Sequence, residues 1–132
     1  MQKHDKIRFQ HMLDAIEEAM SFARNRSRES LDKDRMLVLA LMKDVEIVGE
    51  AASRISKDAQ SSAPEIPWVN IIGMRNRLIH AYFDINLDIL WQTVSKDLPE
   101  LAAALKIAMT AVQNDKKEQS TKRFQRSNDQ TL

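Results

Sequence analysis

Residues 36–55 of the chain read MLVLALMKDVEIVGEAASRI. Apolar residues occupy more than half of these positions, which is too many for the single narrow stripe of a surface helix. The remaining residues are mostly good helix formers, and no proline interrupts the run. We therefore predict a central helix, the most buried of the fold, that continues to about Asp58.

A second amphipathic helix is predicted before this one. From Asp5 to about Arg24, apolar residues recur every three to five positions, as expected for one face of a helix. Residues 24–30 then carry no apolar side chain, and we expect a loop or short turn that ends near residues 31–34. Side-chain oxygens that can cap the next helix are offered by Ser30, Asp32 and Asp34.

Prolines divide the second half of the chain. Pro64 and Pro67 lack amide donors and cannot continue a helix, whereas Pro99 is tolerated as the first residue of one. The predicted elements are a loop over residues 60–67, a helix from Pro67 or Trp68 to about Phe83, a polar turn over residues 84–88, a short helix around Leu90 that Pro99 breaks, and a last helix from Pro99 to about Val112.

Four substantial helices joined by short connections predict an all-α fold, an antiparallel bundle of four to five helices. We assign residues 1–113 to this helical domain. Residues 114–132 are polar and are expected to form a disordered tail. A domain of this size buries only about two thirds of its unfolded surface, so a homodimer that covers a further apolar face would stabilise it.

The composition excludes several classes of protein. The chain has 132 residues, of which 43% are hydrophobic and 30% charged, as in globular domains rather than disordered or membrane-spanning ones. It has no cysteine, which excludes disulfides, thiolate zinc sites and a cysteine nucleophile. It begins without the apolar stretch of a secretion signal, and we expect a cytoplasmic protein. Its net charge of +1 gives no global basic field, so a nucleic-acid partner must be argued from local sites.

One segment, GMRNRLIHAYF at residues 73–83, concentrates strong hydrogen-bonding side chains. On the predicted helix, Asn76 and His80 are four residues apart and lie on one face, about 6 Å from each other. Arg75 and Tyr82 are seven residues apart and lie on an adjacent face, from which the long guanidinium can swing toward the imidazole. These side chains could therefore converge on one phosphate.

This combination suits RNA cleavage without a metal ion or other cofactor. An imidazole such as that of His80 is well poised near neutral pH to take a proton from a 2′-hydroxyl or give one to a leaving 5′-oxygen. The Arg75 guanidinium offers paired donors to phosphate oxygens and stabilises negative charge in the transition state. Asn76 could orient the imidazole or donate to the phosphate.

Ordinary structural roles are also open to these residues. A single histidine on a helix is more often structural or exposed than catalytic. Arg75 and Arg77 would most often be solvated or paired with acids such as Asp84 or Asp88. Tyr82 by itself would be interpreted as a residue at the edge of a core. Two further histidines have no arrangement of metal ligands around them and are interpreted as surface residues, namely His4 and His11.

The segment RNRLIHAY, residues 75–82, resembles the R-x(4)-H-x-Y motif of HEPN-domain ribonucleases. Within them it is most similar to the HepT-like toxins that are encoded beside a minimal nucleotidyltransferase antitoxin. Other segments resemble the same family in order and spacing: VGEAA at 48–52, IPW at 66–68, GMRN at 73–76, LW at 90–91 and DLP at 97–99. The resemblance spans residues 5–112, nearly everything except the tail.

The resemblance implies a HEPN-like helical bundle that dimerises with its two motif helices face to face, forming a composite cleft that cleaves RNA. By position, Arg75 and His80 would be the catalytic pair and Asn76 their helper. Tyr82 would be the residue to which the nucleotidyltransferase antitoxin transfers AMP, which would block the cleft.

Glu50 also matches a position of that family. An acid on a buried helix can equally be a structural partner for Arg75 or Arg77, and we favour that interpretation. Two other functions stay open. One is a non-catalytic HEPN binding module that holds a nucleotidyltransferase or its nucleotide, and the other is a plain helical dimerisation protein, in which buried polar side chains of the motif would be destabilising.

Overall fold

The computed structural model describes residues 1–81 and 84–111, and at residues 80 and 81 it describes the backbone only. In chain order the elements are α1 (Lys3–Ala23), α2 (Arg28–Lys33), α3 (Arg35–Ser53), α4 (Lys57–Ser61), α5 (Trp68–Ile72), α6 (Met74–Leu78), β1 (Ile79–Ala81), β2 (Asp84–Ile85), α7 (Leu87–Gln92), a π-helical turn (Thr93–Asp97) and the α-helical residues 98–111. The all-α prediction is confirmed, with one short strand pair as the exception within the described ranges. None of the helices described is long and apolar enough to cross a membrane. The predicted tail, residues 114–132, lies outside the described residues.

The core is built on α1 and α3, which pack along each other in opposite directions. Asp5, at the start of α1, accepts hydrogen bonds from the backbone N–H and the hydroxyl of Ser56, just after α3, both at 2.8 Å. Burying one large apolar side chain stabilises a fold by about 1.5–3 kcal/mol. The side chains of these two helices with no exposed surface include Phe9, Met12, Ile16, Leu41, Val45 and Val48.

The connection between α1 and α3 contains a helix that the sequence did not predict. α2 takes up the end of the expected loop over residues 24–30, and it begins with reciprocal capping between Ser27 and Ser30, whose hydroxyl accepts the Ser27 N–H at 3.1 Å. The first backbone N–H groups of a helix have no partner within the helix, and this capping gives two N–H groups a partner, which stabilises even a short helix. Asp34 caps α3 as predicted, since its carboxylate accepts the Leu37 N–H at 3.1 Å.

The central helix is shorter than predicted. α3 ends at Ser53 rather than near Asp58, and α4 begins a new helical turn. The break is stabilised by Ser56, whose hydroxyl accepts the Ala59 N–H at 3.2 Å while α1 binds the Ser56 N–H. A side chain that caps a new helix competes with continuation of the old one.

The helix predicted over residues 68–83 is not continuous, so this prediction was wrong. It divides at Gly73 into α5 and α6, and the latter ends at Leu78. The Leu78 carbonyl accepts the Asn86 N–H at 2.8 Å, and Ile79 enters the antiparallel pairing with β2. The β-branched side chain of Ile79 favours this extended backbone. The backbone of His80 therefore lies on a strand.

Pro99 does not break the C-terminal helix, contrary to the prediction. Helical structure continues from α7 to residue 111 through the π-helical turn, in which the Leu98 N–H bonds to the Thr93 carbonyl five residues earlier. A wider turn here relieves the clash between a proline ring and the carbonyl four residues before it. The buried side chains of this part of the chain complete the core: Leu90, Val94, Leu98, Leu101 and Leu105.

Candidate functional site

A surface groove lies between α3 and the α5–α6 segment, and it contains two of the four predicted site residues. Its volume is about 360 Å³. Arg75 and Asn76 line it from α6, and α3 supplies the opposite wall. The complete lining consists of Glu46, Gly49, Glu50, Ser53, Ile72, Arg75 and Asn76.

Gly49 determines how closely the two walls approach. A Cβ atom at this position would lie 3.3 Å from the Ile71 carbonyl oxygen and 3.6 Å from that of Ile72. The second distance is an ordinary van der Waals contact, but the first is tighter, so an alanine here would require the Ile71 backbone to move by a few tenths of an ångström away from α3. The glycine of the VGEAA segment thus has a packing role that brings α6 within reach of α3.

Arg75 is fixed by an ion pair across the groove. Its Nε donates to the Oε1 atom of Glu46 at 2.7 Å, a distance typical of a strong charge-assisted hydrogen bond. The Arg75 side chain remains 53% exposed and that of Glu46 35% exposed. The guanidinium therefore has one anchored edge and stays accessible from solvent.

The prediction that Glu50 pairs with Arg75 or Arg77 was wrong. Glu50 pairs with Arg54 of its own helix at 2.9 Å, and Arg77 donates to the Asn70 carbonyl at 3.0 Å. The partner of Arg75 is Glu46, which lies one helical turn before Glu50 on the same wall of the groove. Sequence reasoning missed it because the contact joins residues 29 positions apart, although the spacing of four between the two glutamates places both on one helix face.

Neither of the other acids considered as partners of the motif arginines lines the groove, since Asp84 lies on β2 and Asp88 on α7. Asp88 accepts a hydrogen bond from the Nε of Arg28 at 2.6 Å. This contact joins α2 to the start of α7, and neither of its two residues lines the groove.

His80 and Tyr82 cannot be placed beside Arg75 by the helix geometry that the sequence suggested. The backbone of His80 lies in β1, two residues after the end of α6. The spacing of about 6 Å expected for Asn76 and His80 applies to one continuous helix and does not hold here. Tyr82 lies outside the described residues. Residues 75–81 of the motif are thus a helix end followed by a strand.

One buried acid lies in the α1–α3 interface, away from the groove. Asp44 is 1% exposed, and its Oδ2 atom has no hydrogen-bond partner. Burial, a hydrogen bond with the Glu18 side chain and the charge of that group together raise the pKa of Asp44 to about 7, and burial is the largest of these causes. The physical cause is that an ionised carboxylate loses its hydration in this interface.

The remaining histidines are exposed, as predicted. His4 lies 3.5 Å from the Asp5 carboxylate with 59% of its side chain exposed, and His11 is exposed on α1. Among the described residues, no three histidine, aspartate or glutamate side chains lie close enough together to hold a metal ion.

Comparison with known proteins points to one family. Residues 12–108 match the family model described as ribonuclease HepT-like. The chain is 37% identical over 101 residues to a "probable ribonuclease HepT" of Thermococcus cleftensis, covering 76% of this chain and 92% of that protein. Two similar proteins whose names also propose an RNase come from Caldanaerobacter subterraneus (36% identical over 97 residues, 74% and 87% covered) and Methanocaldococcus jannaschii (31% over 108 residues, 81% and 99% covered). No solved structure matches the chain.

Proposed function

The chain belongs to the family of HepT-like ribonucleases, and we propose that it is a metal-independent endoribonuclease. The observation that carries this proposal is Arg75, whose guanidinium is anchored at Nε yet half-exposed in a groove. A guanidinium in that state can bind a phosphate of the RNA backbone through its terminal nitrogens. Asn76 lines the same groove and adds an uncharged amide donor.

The chemical step assigns the proton transfers to His80. Its imidazole takes the proton of a ribose 2′-hydroxyl, the 2′-oxygen attacks the adjacent phosphorus, and the bond from phosphorus to the 5′-oxygen breaks. The protonated imidazole, or the imidazolium of a second subunit, gives a proton to the leaving 5′-oxygen. Arg75 stabilises the negative charge that develops on the phosphate oxygens. The products are a 2′,3′-cyclic phosphate and a 5′-hydroxyl end.

The proposed active form is a homodimer with the two motif segments near its two-fold axis. One arginine and one histidine per chain offer few contacts to a phosphate, and a second copy of the chain would add the same residues and deepen the cleft. Two exposed apolar side chains of α5 lie beside the motif and support this surface as the interface: Val69, 85% exposed, and Ile72, 40% exposed and also lining the groove. Apolar side chains in such positions favour burial against another protein surface.

The proposed biological role is that of a cytoplasmic toxin in a toxin–antitoxin pair. The partner would be a minimal nucleotidyltransferase that transfers AMP to Tyr82. An AMP group there would add bulk and negative charge two residues after His80, in the same motif as the arginine proposed to bind RNA. This part of the proposal is supported by the motif RNRLIHAY and the family, since Tyr82 lies outside the described residues.

The proposed activity is tested with the purified protein and labelled RNA. Wild type should cleave, and its activity should survive excess EDTA. Arg75→Ala and His80→Ala should each lose 10²- to 10⁴-fold in rate, as expected when a charge donor or a general acid–base group is removed. Glu17→Ala is the control, because Glu17 is exposed on α1 and pairs with Lys106, outside the groove. A chain that accepts AMP at Tyr82 but cleaves no RNA would instead support the non-catalytic HEPN binding module.

A further inference from the structure

We propose that Glu46 is a positioning residue for RNA cleavage, which holds the Arg75 guanidinium by its Nε edge and leaves the two terminal nitrogens for phosphate. This inference rests on the proposed ribonuclease function and names a residue that the R-x(4)-H-x-Y motif does not contain. Its basis is the Nε–Oε1 contact of 2.7 Å across the groove.

The geometry of the contact leaves the phosphate-binding edge of the arginine free of Glu46. A guanidinium has five N–H donors, one on Nε and four on the terminal nitrogens. The hydrogen bond to Glu46 is made by Nε, and Arg75 is still 53% exposed. A phosphate can then be bound end-on by paired donors without displacing the glutamate.

α3 is a firmer platform than the helix that carries Arg75. Glu46 lies on a helix of 19 residues and follows Val45, which is completely buried. Arg75 lies on α6, which has only five residues and no side-chain cap at its start. A helix this short has little stability of its own. The orientation of Arg75 therefore depends on its contact with α3, which the close approach at Gly49 makes possible.

The opposite role for Glu46 would be that of a competitor. A carboxylate next to an arginine repels an incoming phosphate, and removing it would then strengthen RNA binding. Arg75 is 53% exposed and Glu46 35% exposed, so solvent weakens that repulsion. A misplaced catalytic group, by contrast, loses rate steeply with small displacements. We therefore expect the positioning effect to exceed the repulsion.

The kinetic test compares Glu46→Ala with Glu46→Gln. Glu46→Ala should lower kcat about tenfold with little change in KM, because the guanidinium is still present but no longer oriented. Glu46→Gln should recover kcat to within about threefold, because an amide oxygen can still accept the Nε–H. In an Arg75→Ala background, Glu46→Ala should have no further effect on kcat, since residues that act as a unit are not additive.

Glu50→Ala is the matched comparison for charge. Glu50 lines the same groove and carries the same charge, but it pairs with Arg54 rather than Arg75. If Glu46→Ala, Glu46→Gln and Glu50→Ala all bind RNA more tightly and cleave it faster, Glu46 acts as a competing anion and the inference is overturned. Equal kcat in wild type and Glu46→Ala would overturn it as well.

A measurement without RNA tests the contact itself. The ¹⁵Nε–¹Hε NMR signal of Arg75, assigned by its absence in Arg75→Lys, should exchange slowly in wild type and in Glu46→Gln and be lost or shifted in Glu46→Ala. An unchanged signal in Glu46→Ala would refute the contact. A wild-type protein that cleaves no RNA overturns the proposed function and this inference together, whereas an active wild type with a fully active Glu46→Ala overturns this inference alone.

Discussion

Replacing Asp44 by asparagine should remove a large part of the pH dependence of stability between about pH 4 and pH 8. Burial in the α1–α3 interface, together with the hydrogen bond and charge of the Glu18 side chain, raises the pKa of Asp44 from 3.8 to about 7. Because the folded pKa is raised, the folded state binds a proton that the unfolded state releases in this window. The resulting stabilisation is fully present below about pH 4 and is lost as the pH rises through 7.

The size of this effect follows from the shift. Each unit of pKa difference corresponds to about 1.4 kcal/mol, so about three units give a loss on the order of 3 to 4 kcal/mol in the free energy of unfolding between pH 4 and pH 8. That is a large part of the total stability of a small domain, which is about 5–15 kcal/mol. Asparagine keeps the shape of the side chain and cannot ionise, so Asp44→Asn should lack this component.

The assay is urea unfolding followed by far-UV circular dichroism at pH 4.5, 6, 7 and 8, on wild type, Asp44→Asn and the control Asp14→Asn. Asp14 is an exposed carboxylate on α1 that accepts a hydrogen bond from Gln10, so its variant should follow the wild-type curve. The free energy of unfolding of wild type should fall relative to that of Asp44→Asn as the pH rises, so that the variant gains in relative stability up to pH 8. Parallel curves for these two proteins would refute the account of a buried, protonated Asp44.

Three further predictions concern the groove and its surroundings. Gly49→Ala should reduce RNA cleavage, since its Cβ would lie 3.3 Å from the Ile71 carbonyl oxygen and would shift α5 relative to α3. Its overpacking cost of about 1–3 kcal/mol is offset by about 1 kcal/mol of helix propensity, so the free energy of unfolding should fall by no more than about 2 kcal/mol; a cleavage rate equal to wild type would contradict this. Light scattering should give about twice 15.2 kDa for wild type and a folded monomer for Val69→Glu, because Val69 is 85% exposed and belongs to the surface proposed as the dimer interface; a wild-type monomer would refute the composite site. Co-expression with the nucleotidyltransferase should add about 329 Da per AMP to the Tyr82 peptide and nothing to Tyr82→Phe, by the mass that each covalent group carries; silencing without added mass would refute the Tyr82 switch.

The long helices could be predicted because their signals are local. α1 follows the periodic apolar residues after Asp5, and α3 begins where Asp34 offers a cap. Arg75 and Asn76 were predicted to be site residues because the motif concentrates donors in one short segment, and both line the groove; their catalytic role stays a prediction. In each case, the residues that carry the signal are near neighbours in the sequence.

Three of the errors occurred where contacts between separate elements determine the backbone or the ion pair. The end of α3 depends on the bond between Asp5 and Ser56, 51 residues apart, and the end of α6 depends on the Asn86 N–H that binds the Leu78 carbonyl. The Glu46–Arg75 pair joins two helices in the same way. Propensity and periodicity contain no information on such pairings, so they cannot predict where a helix ends or which acid pairs with a motif arginine.

The chemistry of the product ends is the most direct test of the proposed RNA cleavage by Arg75 and His80. A single RNA is incubated with wild type or His80→Ala in excess EDTA, and the ends are identified by mass spectrometry. We expect wild type to leave a 2′,3′-cyclic phosphate and a 5′-hydroxyl, to fail at a site carrying a 2′-deoxy substitution, and to lose 10²- to 10⁴-fold in rate in His80→Ala. Products with a 5′-phosphate, or equal rates for wild type and His80→Ala, would contradict it.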